Sequence, residues 1–253
     1  IITNIYSDHL IYHWSFSNYV KSKFKIQSFL NNDGCLHISN IERLRYANLI
    51  NIENKNINTI SNMNFKNKIF GFDINLFNEY FTKKILSFCK LNYNHNKMLK
   101  NLPFRNELIK KKFNPIIIND SKSTNLENSI LKINQIKLKK KIVILGGIPK
   151  KSNIKKNIIK NSLILIFGPS RFKIIKKLEF INSKFFTFVD LENLFKFLKV
   201  IIYQSKFDII LFSPGGESFD QFKDYSHRGR TFNNYIKKFK IWRTYFLEMT
   251  TVS

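Results

Sequence analysis

From residue 113 onwards, short apolar runs alternate with stretches whose apolar positions recur every three or four residues. FNPIII (113–118), KIVILGG (141–147), SLILIFG (162–168), KFFTFVD (184–190) and FDIILFS (207–213) have strand length and are rich in β-branched and aromatic side chains. Such runs predict buried strands. Between them, TNLENSILKINQI (124–136), KKNIIKN (155–161), SRFKIIKKLEF (170–180) and LENLFKFLKVIIYQ (191–204) predict helices, and a last helix is expected from about 218 to 240. KKNIIKN carries the weakest pattern and the 191–204 run the spacing nearest 3.6. Buried strands alternating with helices predict an α/β fold with a mostly parallel, Rossmann-like sheet covered on both faces. In such sheets ligands gather at the carboxyl ends of the strands.

The first hundred residues are less regular. GCLHISN (34–40) predicts a strand. GFDINLFNEYFTKKILSFCK (71–90) predicts a helix with Ile74, Phe77, Phe81, Ile85 and Phe88 on one face. The Asn/Lys-rich patches 51–68 and 91–101 read as polar connections, the second as a domain boundary.

Charge changes the picture less than its size suggests. Lys and Arg outnumber Asp and Glu 43 to 17, for a formal charge of +26. A basic surface favours phosphate backbones. Here, however, Lys far exceeds Arg, Asn, Ile and Phe are abundant, and the basic residues are spread through every segment, as biased coding would leave them. No C2H2 or RRM signature is present, so a nucleic-acid partner is not expected. Cys35 and Cys89 stand far apart without a CxxC, which points to a reducing cytoplasmic setting and to no disulfide or zinc site. No apolar run reaches membrane-spanning length, and IITNIYSDHL lacks a signal-peptide pattern. The missing initiator Met leads to the expectation that the chain begins partway through a longer product.

Candidate chemistry collects where strands end. NDSKSTN (119–125) offers Asp120 to a metal or ribose, Lys122 to an anion, and Thr124 as a helix cap. GGIPKKS (146–152) combines close backbone approach with the charge of Lys150. GPSR (168–171) follows the third strand, and SPGGESFDQFKDYSHRGRTF (213–232) holds the most varied residues in the chain. Asn75 and Asn78, one helical turn apart, suit a base edge or ordinary helix-start polarity.

In order and spacing, these loops resemble the Mur ligase family, in its D-glutamate-adding branch. INDSKSTN and SPGGESFDQFKDYSHRG are similar to two specific motifs of that family's C-terminal domain, and the Gly-Gly-x-x-Lys loop falls between them. SDHLIYHWSFSNYVKSKFKI (7–26) resembles the part of the central ATPase domain that carries a metal-binding His, here His9, and a carbamylated Lys, here Lys23. GFDINLFN and LPFRNE resemble the family's asparagine-bearing helix start and its interdomain hinge. The chain departs from the pattern at Ile11, Ile74 and Phe104, and in its glycine-rich SPGGESFD loop. None of the 253 residues forms a G-x-x-G-K-[ST] phosphate loop.

The resemblance implies residues 1–101 as the C-terminal part of the central ATP-binding domain, 102–245 as the amino-acid-binding domain, and 246–253 as an unplaced tail. It implies an ATP- and Mg2+-dependent ligase that adds D-glutamate to UDP-N-acetylmuramoyl-L-alanine in peptidoglycan precursor synthesis. It places Lys122, Lys23 and His9 in catalysis, with His9 and carbamylated Lys23 on the metal. Asn75, Asn78, Arg105 and Asp120 would serve the nucleotide. Thr124, Lys150, Ser218, Phe219 and Tyr225 would hold D-glutamate. A monomer is expected, inactive as this chain alone and needing a separate N-terminal half. Two other readings stay open on the residues alone: a non-catalytic remnant, and a basic nucleic-acid-binding module on the same fold.

Overall fold

A computed structural model of the chain describes residues 2, 5, 10–49, 57–60, 82–91, 102–110, 115–150 and 157–238. The chain divides into two compact units, Ile1–Lys66 and Asn67–Ser253.

In the first unit, strand β1 (Leu36–Ser39) pairs in parallel with β2 (Ile57–Ile60). Helix α1 (Phe16–Phe24) is capped by Ser15, whose hydroxyl accepts the Asn18 N–H at 3.1 Å. It buries Tyr19, Val20 and Phe24 with Leu36 and Ile38. Helix α2 (Asn40–Arg45) follows β1 directly. The predicted strand at 34–40 is present. Ile57–Ile60 is a strand inside a patch read as a polar connection, because its Ile-x-x-Ile residues complete the pairing of β1.

The second unit is built on a six-stranded sheet in the order β3 (Glu107–Lys110), β4 (Ile116–Asn119), β10 (Ile209–Gly215), β5 (Lys141–Gly146), β7 (Ser162–Phe167), β9 (Lys184–Phe188). All neighbours are parallel except β3, an antiparallel edge strand that the apolar pattern did not predict. Alternation along the strands divides the core into two layers. Ile118, Val143, Leu145, Ile164, Ile166, Ile209 and Leu211 pack beneath helix α3 (Leu126–Gln135). Ile117, Ile142, Ile144, Leu165, Phe167, Ile210 and Phe212 pack beneath helices α5 (Leu191–Gln204) and α6 (Tyr225–Lys238). Each such side chain contributes about 1.5–3 kcal/mol on burial.

Three helix expectations change. KKNIIKN is strand β6 (Asn157–Lys160), paired in parallel with β8 (Leu178–Ile181). SRFKIIKKLEF splits into a one-turn helix α4 (Arg171–Ile175) and β8. The strand signal was the alternation itself: Leu178 is buried and Glu179 exposed, and the β-branched pair Ile158–Ile159 is exposed then buried. The last helix starts at Tyr225 rather than 218, because Asp224 accepts the His227 N–H at 2.6 Å and caps it there. Residues 82–88 are helical within the 71–90 prediction, with Ile85 partly buried and Phe88 48 % exposed. Ile74, Phe77 and Phe81 lie outside the described residues.

Candidate active site at three adjacent strand ends

The strand order places the carboxyl ends of β4, β10 and β5 side by side. Their loops are joined by backbone hydrogen bonds. The Gly215 N–H donates to Ser123 O at 3.0 Å, while Ile148 and Glu217 exchange bonds of 2.8 and 2.9 Å. The two glycine pairs approach each other rather than leaving a bare cradle. Gly147 has φ +86, and a Cβ there would fall 2.3 Å from the Glu217 carbonyl oxygen. A Cβ on Gly216 would fall 2.6 Å from the Gly147 carbonyl carbon. Only glycine permits that separation.

Arg228 fastens two of these loops. Its side chain is fully buried. Its guanidinium donates to Ser121 O at 2.8 Å, Ser121 Oγ at 3.1 Å and Gly216 O at 2.9 Å. Burial lowers its pKa to about 10, against the opposing pull of Asp220 and Asp120. Gly229 beside it admits the Phe104 ring, whose nearest carbon would stand 2.4 Å from any Cβ there. Phe104 departs from the resembled family's histidine and serves here as packing.

Asp120 is the centre of a second network. Oδ1 accepts the Asn106 N–H at 3.2 Å; Oδ2 accepts the Ser213 hydroxyl at 3.0 Å and pairs with the Lys132 ammonium. Its side chain is only 6 % exposed. Ser213 also contacts Ser129 Oγ at 3.0 Å, and Ser129 contacts Ser123 Oγ at 2.7 Å. Thr124 does not cap α3. Asn125 does, accepting the Asn128 N–H at 3.0 Å, which leaves half-buried Thr124 just before the cap.

The residues expected to bind an amino acid fall on these loops. The Lys122 ammonium lies 4.1 Å from the centre of the Tyr225 ring, a cation–π contact. The Lys150 ammonium is 3.8 Å from Glu217 Oε1. Ser218 is buried, whereas the neighbouring Phe219 ring is 71 % exposed. Arg105 is exposed, in a turn between Phe104 (φ 61) and Asn106 (φ 49). The set thus combines cations and hydroxyls at the carboxyl ends of three adjacent strands, a chemistry suited to a small carboxylate and a phosphoryl group.

Four other expected residues lie outside these loops in sequence. His9, Asn75 and Asn78 lie outside the described residues. Lys23 is exposed on α1 in the first unit, its ammonium 5.0 Å from the Tyr19 ring centre. Among the described residues no three His, Cys, Asp or Glu side chains gather to hold a metal ion. Sequence reasoning missed Lys132 and Ser121. Nothing marks Lys132 among the 43 Lys and Arg residues, since its partners lie 12 and 26 positions away. Among the described residues no helix is long and apolar enough to cross a membrane.

Residues 1–103 match the Mur ligase middle domain. A UDP-N-acetylmuramoylalanine–D-glutamate ligase of Petrotoga mobilis is 29 % identical over 263 residues, covering 94 % of this chain and 60 % of the relative. Over nearly its whole length the chain is similar to ligases of the Mur family. The ligase of the same name from Thermotoga maritima is 30 % identical over 94 % of this chain and 59 % of its own length. That from Prochlorococcus marinus is 38 % identical over 55 % of this chain and 31 % of its own length. The MurF ligase of Thermotoga maritima, solved in complex with ADP, superposes with a TM-score of 0.56 at 14 % identity, over 93 % of this chain and 61 % of that one, and establishes a shared fold. The chain spans about 60 % of the length of full-coverage Mur ligase relatives.

Proposed function

We propose that this chain carries the amino-acid-binding part of an ATP-dependent ligase that joins D-glutamate to UDP-N-acetylmuramoyl-L-alanine in peptidoglycan precursor synthesis. The observation that carries the reading is the convergence of Lys122, Thr124, Lys150, Ser218 and Tyr225 on three adjacent strand ends. Relatives of that name at 29–30 % identity over nearly the whole chain support the choice of amino acid.

In this reading a carboxylate oxygen of the uridine-linked substrate attacks the γ-phosphorus of ATP. The bond to the β–γ bridging oxygen breaks and ADP departs. The D-glutamate nitrogen then attacks the acyl carbon, loses a proton, and expels inorganic phosphate. Lys122 supports the transferring phosphoryl group by its charge. Lys150, Thr124, Ser218 and the Phe219 backbone N–H hold the dicarboxylate, and the Tyr225 ring bounds it, so that the amine is aimed rather than merely near. Arg105, Asn75 and Asn78 serve the nucleotide by contact, and Asp120 serves it from behind the Arg105 turn. Mg2+ would help bind ATP phosphates, and His9 with carbamylated Lys23 are the residues proposed to hold it; a carbamate gives a hard cation an oxygen donor. The boundary near 101/102, a cytoplasmic location and a monomeric state belong to the same proposal. Without a phosphate loop in these 253 residues, the chain alone is expected to leave ATP intact.

The test is phosphate release from ATP with UDP-N-acetylmuramoyl-L-alanine as acceptor. The 253-residue chain is assayed alone and fused behind the residues that precede the matching region in the Petrotoga mobilis relative. The expected result is release by the fusion only, and only when D-glutamate is present. A folded fusion that releases phosphate with L-lysine or D-alanine instead, or with neither, would overturn the assignment.

A further inference from the structure

The turn that presents Arg105 has two consecutive reasons to be unstable alone. Phe104 and Asn106 on either side both have positive φ, at 61 and 49. Left-handed backbone is unfavourable for Phe104 in particular and only tolerated at Asn106. Such a turn persists only when its surroundings hold it. The N-terminal side is held by the Phe104 N–H, which donates to Glu107 Oε2 at 3.0 Å, and by the Phe104 carbonyl, which accepts the Lys122 N–H at 3.0 Å. The C-terminal side is held at Asn106 by one ion pair. Its N–H donates to Asp120 Oδ1, and its side-chain oxygen accepts from Lys132 Nζ at 2.7 Å. Lys132 pairs in turn with Asp120 Oδ2. One ammonium from the second turn of α3 therefore grips both the turn and the carboxylate that grips the turn.

We infer that Lys132 is a positioning residue: with Asp120 it latches the 104–106 turn and so fixes where Arg105 points. This rests on the reading that Arg105 serves the nucleotide, and it assigns Lys132 a part in that site although the side chain lies behind it. The pair is mostly shielded, with side-chain exposures of 28 % and 6 %, so it is worth more than a solvated surface pair. The Ser213 hydroxyl at 3.0 Å keeps the shared carboxylate oxygen in place if the ammonium is removed, so loss of Lys132 should release the turn without collapsing the sheet.

The experiment is limited digestion of the 253-residue chain with an arginine-specific protease, comparing cleavage after Arg105 with cleavage after Arg171. Lys132→Met should raise cleavage after Arg105 about tenfold and leave Arg171 unchanged, the size expected for losing charge-assisted hydrogen bonds that close a local opening. Lys132→Arg, which keeps the charge and several donors, should restore slow cleavage. Unchanged cleavage after Arg105 in Lys132→Met would overturn the inference. So would a parallel rise at both arginines, which would make Lys132 a general support of the fold. In the fusion described above, Lys132→Met should raise KM for ATP with little change in KM for D-glutamate. An Arg105→Ala fusion with normal KM for ATP would instead reject the nucleotide reading, and would do so independently of the protease result.

Discussion

Strands β4 and β7, IIIN and SLILIF, are both short, mainly apolar runs, and both lie in the same mostly parallel sheet. Their carboxyl ends differ. Beyond β4 the loop is tied on every side: Arg228 holds Ser121, Asn106 and Lys132 hold Asp120, and Gly215 holds Ser123. Beyond β7 the ties are thinner. The Gly168 N–H donates to Phe188 O at 3.1 Å, and Arg171 donates to Gly168 O at 3.2 Å. Asp220 Oδ2 and Gln221 Oε1 face Gly168 as buried acceptors without a hydrogen-bond partner among the described residues. Val189, just beyond the end of the neighbouring β9, is exposed. Strand composition builds the sheet at both places. What makes one end a candidate site is the buried polar framework that fixes its loops.

The largest effect that would break this contrast belongs to Arg228. Arg228→Met leaves the Ser121 and Gly216 carbonyls buried without donors, and should cost about 3 kcal/mol or more of stability. Arg171→Met, which removes one bond from a less buried residue, should cost less than about 1 kcal/mol. Urea unfolding of the two variants measures the difference, and equal losses would remove the distinction. Next comes Gly216→Ala. Its new methyl meets backbone, which cannot swing aside, so a loss of about 2 kcal/mol or more is expected. At Gly168→Ala the obstacle is the Asp220 side chain at 3.1 Å and the strain is that of φ +98, for about 1 kcal/mol.

Lys150→Met in the active fusion sharpens the same comparison by function. It should raise KM for D-glutamate about tenfold, the loss of one charged hydrogen bond, whereas Val189→Ser at the other end should leave KM unchanged. Smallest is the effect of Asp220. Burial raises its pKa above the ordinary carboxylate value, partly offset by Arg228. The folded state therefore binds this proton more tightly than the unfolded state does. Its contribution makes stability rise as pH falls through the folded-state pKa toward 3.8. Asp220→Asn should remove that portion of the pH dependence and leave stability at pH 7 equal or slightly higher. A slope unaltered by the substitution would contradict it.

Much of this was legible in the sequence, for identifiable reasons. Long apolar runs such as KIVILG and IILF have one stable use, the interior of a covered parallel sheet, and they form it. The loops that follow them carried the candidate residues because a strand end is where side chains leave the core. Less legible was anything decided by tertiary pairing. NIIK and LEFI are four-residue strands that pair with each other and bury only Ile159 and Leu178 in the core beneath α3, and a propensity scan reads their lysine-rich surroundings as helix. Lys132 was invisible because its value comes from two partners distant in sequence, and a lysine in so basic a chain announces nothing. Arg228 stood in a recognisable Arg-Gly pair, but only the fold reveals that its guanidinium is buried among carbonyls rather than pairing on a helix surface.

The central claim is that the joined ends of β4, β10 and β5 receive D-glutamate. The most direct measurement is a titration of the 15N-labelled chain with D-glutamate, and separately with L-glutamate, followed by amide chemical shifts. The account predicts shifts at Lys122, Thr124, Lys150, Ser218, Phe219 and Tyr225 that saturate with the D isomer and are much weaker with the L isomer. Shifts confined to the loops after β7 and β9, around Gly168 and Val189, or the same response to both isomers, would contradict it.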